Sequence, residues 1–317
     1  KNDMRKAIII SLKGKKLTFI EKKILNIKKP WGVILFRRNI KNRKQLKKLI
    51  KEIKISAEDK KFPILIDEEG GTVSRLSNII NFKNFSQKYF GDIFNNDRKR
   101  SKVLYLKHIK KITKLLKDVG ININTVPVLD LLYPDTNKII GSRSYSKIPE
   151  VVNILGKFCV NEYKKRKIGT VIKHIPGHGS SLIDSHKQLP IITKKKDLLL
   201  KRDFKCFKNM NSHFAMTAHI LFKKIDKNLC TTLSKKIINE IIRKKIGFKG
   251  ILISDDISMG ALSKNINLNA LNALKAGCNL ALYCAGNSKV SISLCETVPF
   301  IDKFTSKKTS EFYKFLS

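Results

Sequence analysis

Ile251-Leu252-Ile253-Ser254-Asp255-Asp256-Ile257-Ser258-Met259-Gly260 is an apolar run that breaks into two acids and then into small turn residues. An apolar run without alternation, closed by polar turn residues, reads as a strand buried on both faces, as strands of parallel sheets are. Working outward, similar runs recur at 7–12, 32–36, 63–67, 121–130, 169–175, 214–220 and 279–284, and with 250–255 they make eight. Lysine-rich stretches with helical spacing separate them, at 44–55, 102–119, 150–164, 235–245, 268–275 and 308–316. Alternating strands and helices pair in parallel through crossovers. An open doubly wound sheet more often has about five or six strands, so eight point to an α/β fold of the (β/α)8 barrel type. No linker interrupts the chain, and 81–100, polar and aromatic, reads as a long loop with a helix. The expectation is a single barrel domain over 1–317.

Asp67, Asp130, His174, His219 and Asp255 each sit at the C-terminal end of a different run. In a barrel those ends open onto one mouth, where active sites are built. A lone Asp or His at a strand end is commonly a turn or cap residue; five together mark a site.

The chain holds 66 Lys+Arg against 25 Asp+Glu, a formal charge of +41. Such a surface adsorbs polyanions loosely at low salt whatever its task, because neutralising phosphates releases counterions. The lysines are scattered rather than gathered with aromatics on one element, and abundant Ile and Asn beside them suggest a coding bias, so no specific nucleic acid is expected. Six cysteines form no C-x-x-C pair and read as reduced core thiols. The apolar stretch at 7–10 is too short for a signal-peptide core, and no run reaches the ~20 residues needed to span a bilayer. The expectation is a cytoplasmic protein with no membrane partner.

Three segments carry chemistry. Lys173-His174-Ile175-Pro176-Gly177-His178-Gly179 leads into Ser180-Ser181-Leu182-Ile183-Asp184-Ser185-His186. His174 and His178 are four apart, but Pro176 and Gly177 oppose the helix that would bring both to one metal, and none is expected. Asp184 can accept a hydrogen bond from His186 two residues on, fixing tautomer and basicity; the alternative is an Asx-turn with a solvent-facing histidine. Ile66-Asp67-Glu68-Glu69-Gly70-Gly71 continues to Arg75; its three acids repel phosphate and suit neutral polyols. Arg75, and Arg143 in Gly141-Ser142-Arg143-Ser144-Tyr145, could fork onto hydroxyl or amide oxygens or simply lie on the surface. Of Asp255 and Asp256 only one can face the mouth, since consecutive strand residues point to opposite faces. Asp256 is expected to cap the following helix.

Together these segments resemble the bacterial β-N-acetylhexosaminidases of glycoside hydrolase family three, of the single-domain cell-wall-recycling type. That family's pattern runs I-D-x-E-G-G with a nearby arginine, R-S-[FY], K-H-F-P-G-H-G with D-S-H, and S-D-D-[LI]-S-M. Here the motifs read IDEEGG with Arg75, RSY from Arg143, KHIPGHG with DSH, and SDDISM, in the same order from Ile66 to Met259. The resemblance implies a barrel that releases terminal non-reducing β-linked N-acetylglucosamine from muropeptides or anhydro-muramic acid disaccharides in peptidoglycan recycling, with retention. Asp255 would be the nucleophile, and His186 the general acid and then base, oriented by Asp184. Asp67, Arg75, Arg143, Lys173 and His174 would hold the sugar, with no cofactor, in a monomer. Glu68, Ile175 and Thr72 depart from the family's commoner Gln, Phe and Arg. Alternatives are a related N-acetylglucosaminide phosphorylase and a basic nucleic-acid-binding protein without catalysis.

Overall fold

The computed structural model describes residues 5–134, 140–181, 184–185 and 187–317. The strands are β1 (Lys6–Ser11), β2 (Pro30–Leu35), β3 (Ile64–Ile66), β4 (Ile123–Asn124), β5 (Gly169–Ile175), β6 (Phe214–Thr217), β7 (Ile251–Asp256) and β8 (Leu280–Leu282). Each pairs in parallel with the next, and β8 returns to β1 to close a barrel. The side-chain period of two explains why the runs show no alternation. Ile9, Leu65, Val171, Ile251 and Ile253 point into the barrel, while Ile8, Ile10, Ile64, Ile172 and Leu252 point out into the shell beneath the helices. Both faces are dry, so both sets must be apolar.

The outer layer comprises α1 (Phe19–Lys23), α2 (Arg43–Ser56), α3 (Gln87–Asn96), α4 (Arg98–Val119), α5 (Pro149–Lys165), α6 (Lys196–Lys201), α7 (Ile266–Ala276), α8 (Ser288–Thr297) and α9 (Lys303–Leu316). The stretch expected as a helix at 235–245 is wound over Ile237–Ile246 as a wider π-helix. At α9 the Asp302 carboxylate accepts from the Thr305 N–H, so the helix begins at Lys303 rather than at 308. The run at 121–130 is a regular strand only at Ile123–Asn124. Pro127 has no N–H to give the ladder, and pairing resumes only as the bridge Val128 to Lys173. The run at 214–220 leaves the barrel after Thr217; Leu221–Phe222 pairs instead with Ile191–Ile192 in a separate two-stranded sheet.

The end where the strands begin is closed. Trp31 meets Phe214 edge-on at 5.7 Å, and Phe312 of α9 meets Phe214 at 5.0 Å. The Trp31 indole N–H donates to Thr309 Oγ1 at 2.9 Å, which fastens α9 across this end. All six cysteines are free thiols, five of them buried.

Candidate active site

The site follows from strand parity. Leu65, Ile123, Val171 and Ile253 line the barrel interior. Two residues further along each strand stand Asp67, Thr125, Lys173 and Asp255, which form the next layer toward the mouth. Lys173 Nζ lies 3.4 Å from Asp67 Oδ1 and donates to Thr125 Oγ1 at 2.9 Å. The Thr125 hydroxyl also donates to Asp67 Oδ1. Arg75 Nη2 reaches Asp67 Oδ2 at 3.2 Å.

Arg75 comes from a hairpin just past β3, Glu68–Gly70 paired with Val73–Ser74. Gly70 has φ +79°, and a Cβ there would lie 2.3 Å from the Phe85 carbonyl oxygen, so no other residue fits the turn. The hairpin delivers Glu69 to the same charged layer: Lys173 Nζ is 2.6 Å from Glu69 Oε1, and Arg143 forks onto Glu69 through Nε at 2.8 Å and Nη2 at 2.9 Å. Arg143 is thus no surface arginine. Burial pushes the Glu69 carboxyl up, but Arg143 and then Lys173 outweigh it and hold its pKa at about 2. Burial acts likewise on Asp67, and Lys173 and Arg75 hold its carboxyl well below the usual carboxylate range. Asp67 and Glu69 therefore face Lys173, Arg75 and Arg143 in one largely enclosed layer, and each carboxylate is hydrogen-bonded.

Glu68, between them, points the other way. One oxygen accepts from the Leu76 N–H at 2.8 Å while Oε1 finds no partner, and burial pushes its carboxyl up to about 7. A cis peptide joins Lys173 to His174. His174 Nδ1 sits 2.7 Å from Asp130 Oδ2, and Asp130 Oδ1 accepts from the His178 N–H at 2.7 Å. Asp130 is buried, but the adjoining His174 ring brings its carboxyl below the ordinary value. Burial lowers His178 to about 4, against the opposing charge of Asp130. Its Nε2 is 3.2 Å from Ser185 Oγ.

That contact joins Ser185 to the His178 ring. The Asp184 carbonyl accepts from Lys187 and Gln188, forming a turn, and the Ser185 carbonyl accepts from Ala261 N–H at 3.1 Å. Ala261 belongs to the turn that leaves β7, so Ser185 is tied to the segment just past Asp255 and Asp256. His186 lies outside the described residues. The Asp255 N–H is 3.3 Å from Thr217 Oγ1, and the carboxylate also accepts from Asp256 N–H at 2.8 Å. Its negative charge favours the protonated form of His178 across the mouth.

Asp256 instead accepts from the Ser258 N–H and hydroxyl and from the Cys284 N–H. It caps a tight turn; the next helix starts only at Ile266 and is capped by Asn265, which corrects the expected helix cap. His219 Nε2 donates to the Asp256 carbonyl at 2.9 Å and props the end of β7. Among the described residues no group of three His, Cys, Asp or Glu could hold a metal.

Residues 9–304 match the glycosyl hydrolase family 3 N-terminal domain. The chain belongs to glycosyl hydrolase family 3. It is 30% identical over 282 residues to a β-hexosaminidase of Bordetella avium, covering 87% of this chain and 80% of that one. A β-hexosaminidase of Psychromonas ingrahamii is 30% identical over 314 residues, covering 96% and 88%. The fold superposes with TM-score 0.87 on a crystal structure of NagZ from Neisseria gonorrhoeae in complex with N-trifluoroacetyl-D-glucosamine, at 28% identity, covering 97% of this chain and 90% of that one. This family 3 chain is accordingly a glycoside hydrolase of the β-hexosaminidase type, on an eight-stranded parallel barrel.

Ion pairs connect Asp67 with Arg75 and Lys173, and Lys173 with Arg143 through Glu69, while His174 pairs with Asp130. Glu69, Thr125 and His178 were missed as site residues. Thr125 could have been found by counting two along from Ile123, but Glu69 could not, because it lies on the hairpin beyond β3 rather than on the barrel ladder. Nothing local singles out His178 from its neighbour His174.

Proposed function

We propose that this family 3 hydrolase removes terminal non-reducing β-linked N-acetylglucosamine from soluble muropeptide or anhydro-muramic acid disaccharides in peptidoglycan recycling, with retention, as a cytoplasmic monomer. Asp255 attacks the anomeric carbon, and the leaving oxygen takes its proton from His186, oriented by Asp184. A glycosyl ester on Asp255 results. His186, now basic, takes a proton from water, which attacks the same carbon and frees Asp255 with the original configuration restored. Asp67, Arg75, Lys173, His174 and Arg143 hold the hydroxyls and acetamide.

The observation that carries this reading is the position of Asp255 one layer above Ile253, in the same ring as Asp67 and Lys173, with Ser185 tied to the turn that leaves the same strand. A carboxylate inside the ring and a donor on the segment after β5 would give the two sides of a sugar their separate reagents. The N-acetylglucosamine analogue bound by the gonococcal NagZ supports the sugar's identity. The phosphorylase alternative has no observation in its favour.

The test is turnover of an aryl N-acetyl-β-glucosaminide, with product configuration read by NMR immediately after mixing. The β-anomer first, and a rate indifferent to added phosphate, are expected. The α-anomer first would remove the covalent mechanism, and a rate that rises with phosphate would establish the phosphorylase. The acid role of His186 is tested by His186→Ala, which should cripple disaccharide cleavage while partly sparing aryl substrates that leave unprotonated. Equal loss on both would reduce His186 to a structural part.

A further inference from the structure

Fourteen lysines and arginines lie between Lys13 and Lys48 against one acid, Glu21, although the whole chain has 66 against 25. Glu21 is buried and its carboxylate is consumed internally, accepting from the N–H groups of Lys13 and Thr18 at 2.8 Å and from the Thr18 hydroxyl at 2.9 Å. The cations therefore have no acid of their own segment to neutralise them. Many sit on the loops that follow β1 and β2, on the same side as the mouth. These two loops are tied together: Asn39 Nδ2 donates to the carbonyls of Leu12 and Gly14, and Gln45 Nε2 to those of Lys15 and Asn39. Lys13, Lys15, Lys16, Arg37, Lys41 and Lys44 are exposed on the resulting rim. Asp118, Glu52 and Glu296 pair with cations at its flanks, namely Arg43 and Lys47, Lys22, and Lys28.

The second feature is apolar. Phe19 is 71% exposed, Ile20 49% and Ile27 64%, on the helical stretch that follows the first loop, while Ile24 and Leu25 of the same stretch are buried. An aromatic and an aliphatic side chain thus stand out immediately beside Lys15, Lys16, Lys22 and Lys23. Lys23 Nζ lies 4.6 Å from the centre of the Phe19 ring.

We infer that this rim docks the enzyme, mouth edge first, on an anionic lipid surface. Lysines attract acidic headgroups without demanding a fixed geometry, and a neighbouring Phe–Ile pair can enter the headgroup–acyl boundary. A protein partner fits less well, because lysine is depleted from interface cores. A nucleic acid fits less well too, because it would leave Phe19 and Ile20 in water unless bases stacked on them. Among the described residues no helix is long and apolar enough to cross a membrane. The contact is therefore one of lying on a bilayer rather than crossing it.

The experiment is co-sedimentation with vesicles of equimolar phosphatidylglycerol and phosphatidylcholine, against phosphatidylcholine alone. Wild type should bind only the mixed vesicles. Phe19→Ala/Ile20→Ala and Lys15→Glu/Lys16→Glu should each weaken binding about tenfold, because each removes one of the two attractions. Lys303→Glu/Lys307→Glu, on α9 at the closed end, should change it little. Equal loss from the α9 variant, or none from the Phe–Ile variant, would mean adsorption by overall charge and overturn the proposal. Displacement from the vesicles by duplex DNA at equal phosphate, with affinity for the DNA untouched by the Phe–Ile variant, would assign the rim to nucleic acid. All substituted residues are exposed, and hydrolysis of the aryl substrate in free solution should be unchanged in every variant. A failure of docking is thus separable from a failure of the glycosidase reading.

Discussion

At the end where the barrel strands begin, Trp31, Phe214 and Phe312 pack edge to face under α9; where the same strands finish, Asp67, Glu69, Lys173 and Arg143 face one another. Both ends are buried, yet they are stabilised differently. The closed end removes apolar surface from water and asks for no partner geometry. The open end keeps charges in a dry layer, which is tolerable only while every charge meets its opposite. One end holds the fold and the other stores a preorganised field for chemistry, so damage to the two should be felt in different measurements.

The largest separation of the two ends comes from Asp255→Ala. Turnover should fall on the order of a million-fold, as when a nucleophile is removed elsewhere, with the melting temperature unchanged. Substantial remaining activity would take the nucleophile role from Asp255. Phe312→Ala reverses the pattern: about 3–5 kcal/mol of stability should be lost in a urea titration, with the activity of the molecules still folded unaltered. A catalytic defect there would mean that the closed end shapes the mouth.

Lys173→Met breaks the contrast from the charged side. It leaves Asp67 and Glu69 facing one cation fewer and should cost roughly 3–5 kcal/mol as well as activity. Retained stability would show that water enters this layer and screens it.

Acid sharpens the comparison further. The Glu69 carboxyl is held at about 2, below its unfolded value, so its contribution is complete above the ordinary carboxylate range and is lost as pH falls toward 2. Asp67 acts in the same direction. Glu68 has the opposite sign. Its carboxyl is raised to about 7, so the folded state keeps a proton that the unfolded state has already released, and stability drops as pH rises through that window. Glu68→Gln should therefore gain on wild type as pH climbs from about 5 to 8, by at most about 3 kcal/mol. A pH-independent difference would show that Glu68 is not protonated in the fold. The smallest expected effect is that of Asp256→Asn, about 1 kcal/mol, since the amide oxygen can still accept from Ser258 and Cys284 while charge is lost.

Much of this site was legible because a strand has a period of two. Once Ile253 is inward, Asp255 follows; once Leu65 is inward, so does Asp67. The same rule failed where the backbone left the ladder. Pro127 ended the regular part of β4 early, and the chain turned after Asp256 where a helix was expected. Glu69 was hidden for a related reason: it sits on a hairpin whose direction depends on a glycine and on Phe85, a residue far along the loop.

The sequence alone determined the eight strands, their parallel pairing and the order of the motifs, because these depend on local hydrophobic pattern and on spacing along one chain. Only the tertiary structure decided which charges are spent on one another. Arg143 and Glu69 are 74 residues apart, and Lys173 and Asp67 are 106 apart. No local rule relates residues at such distances. They meet because barrel closure brings strand ends and loops into one dry layer, where a buried charge must find its opposite.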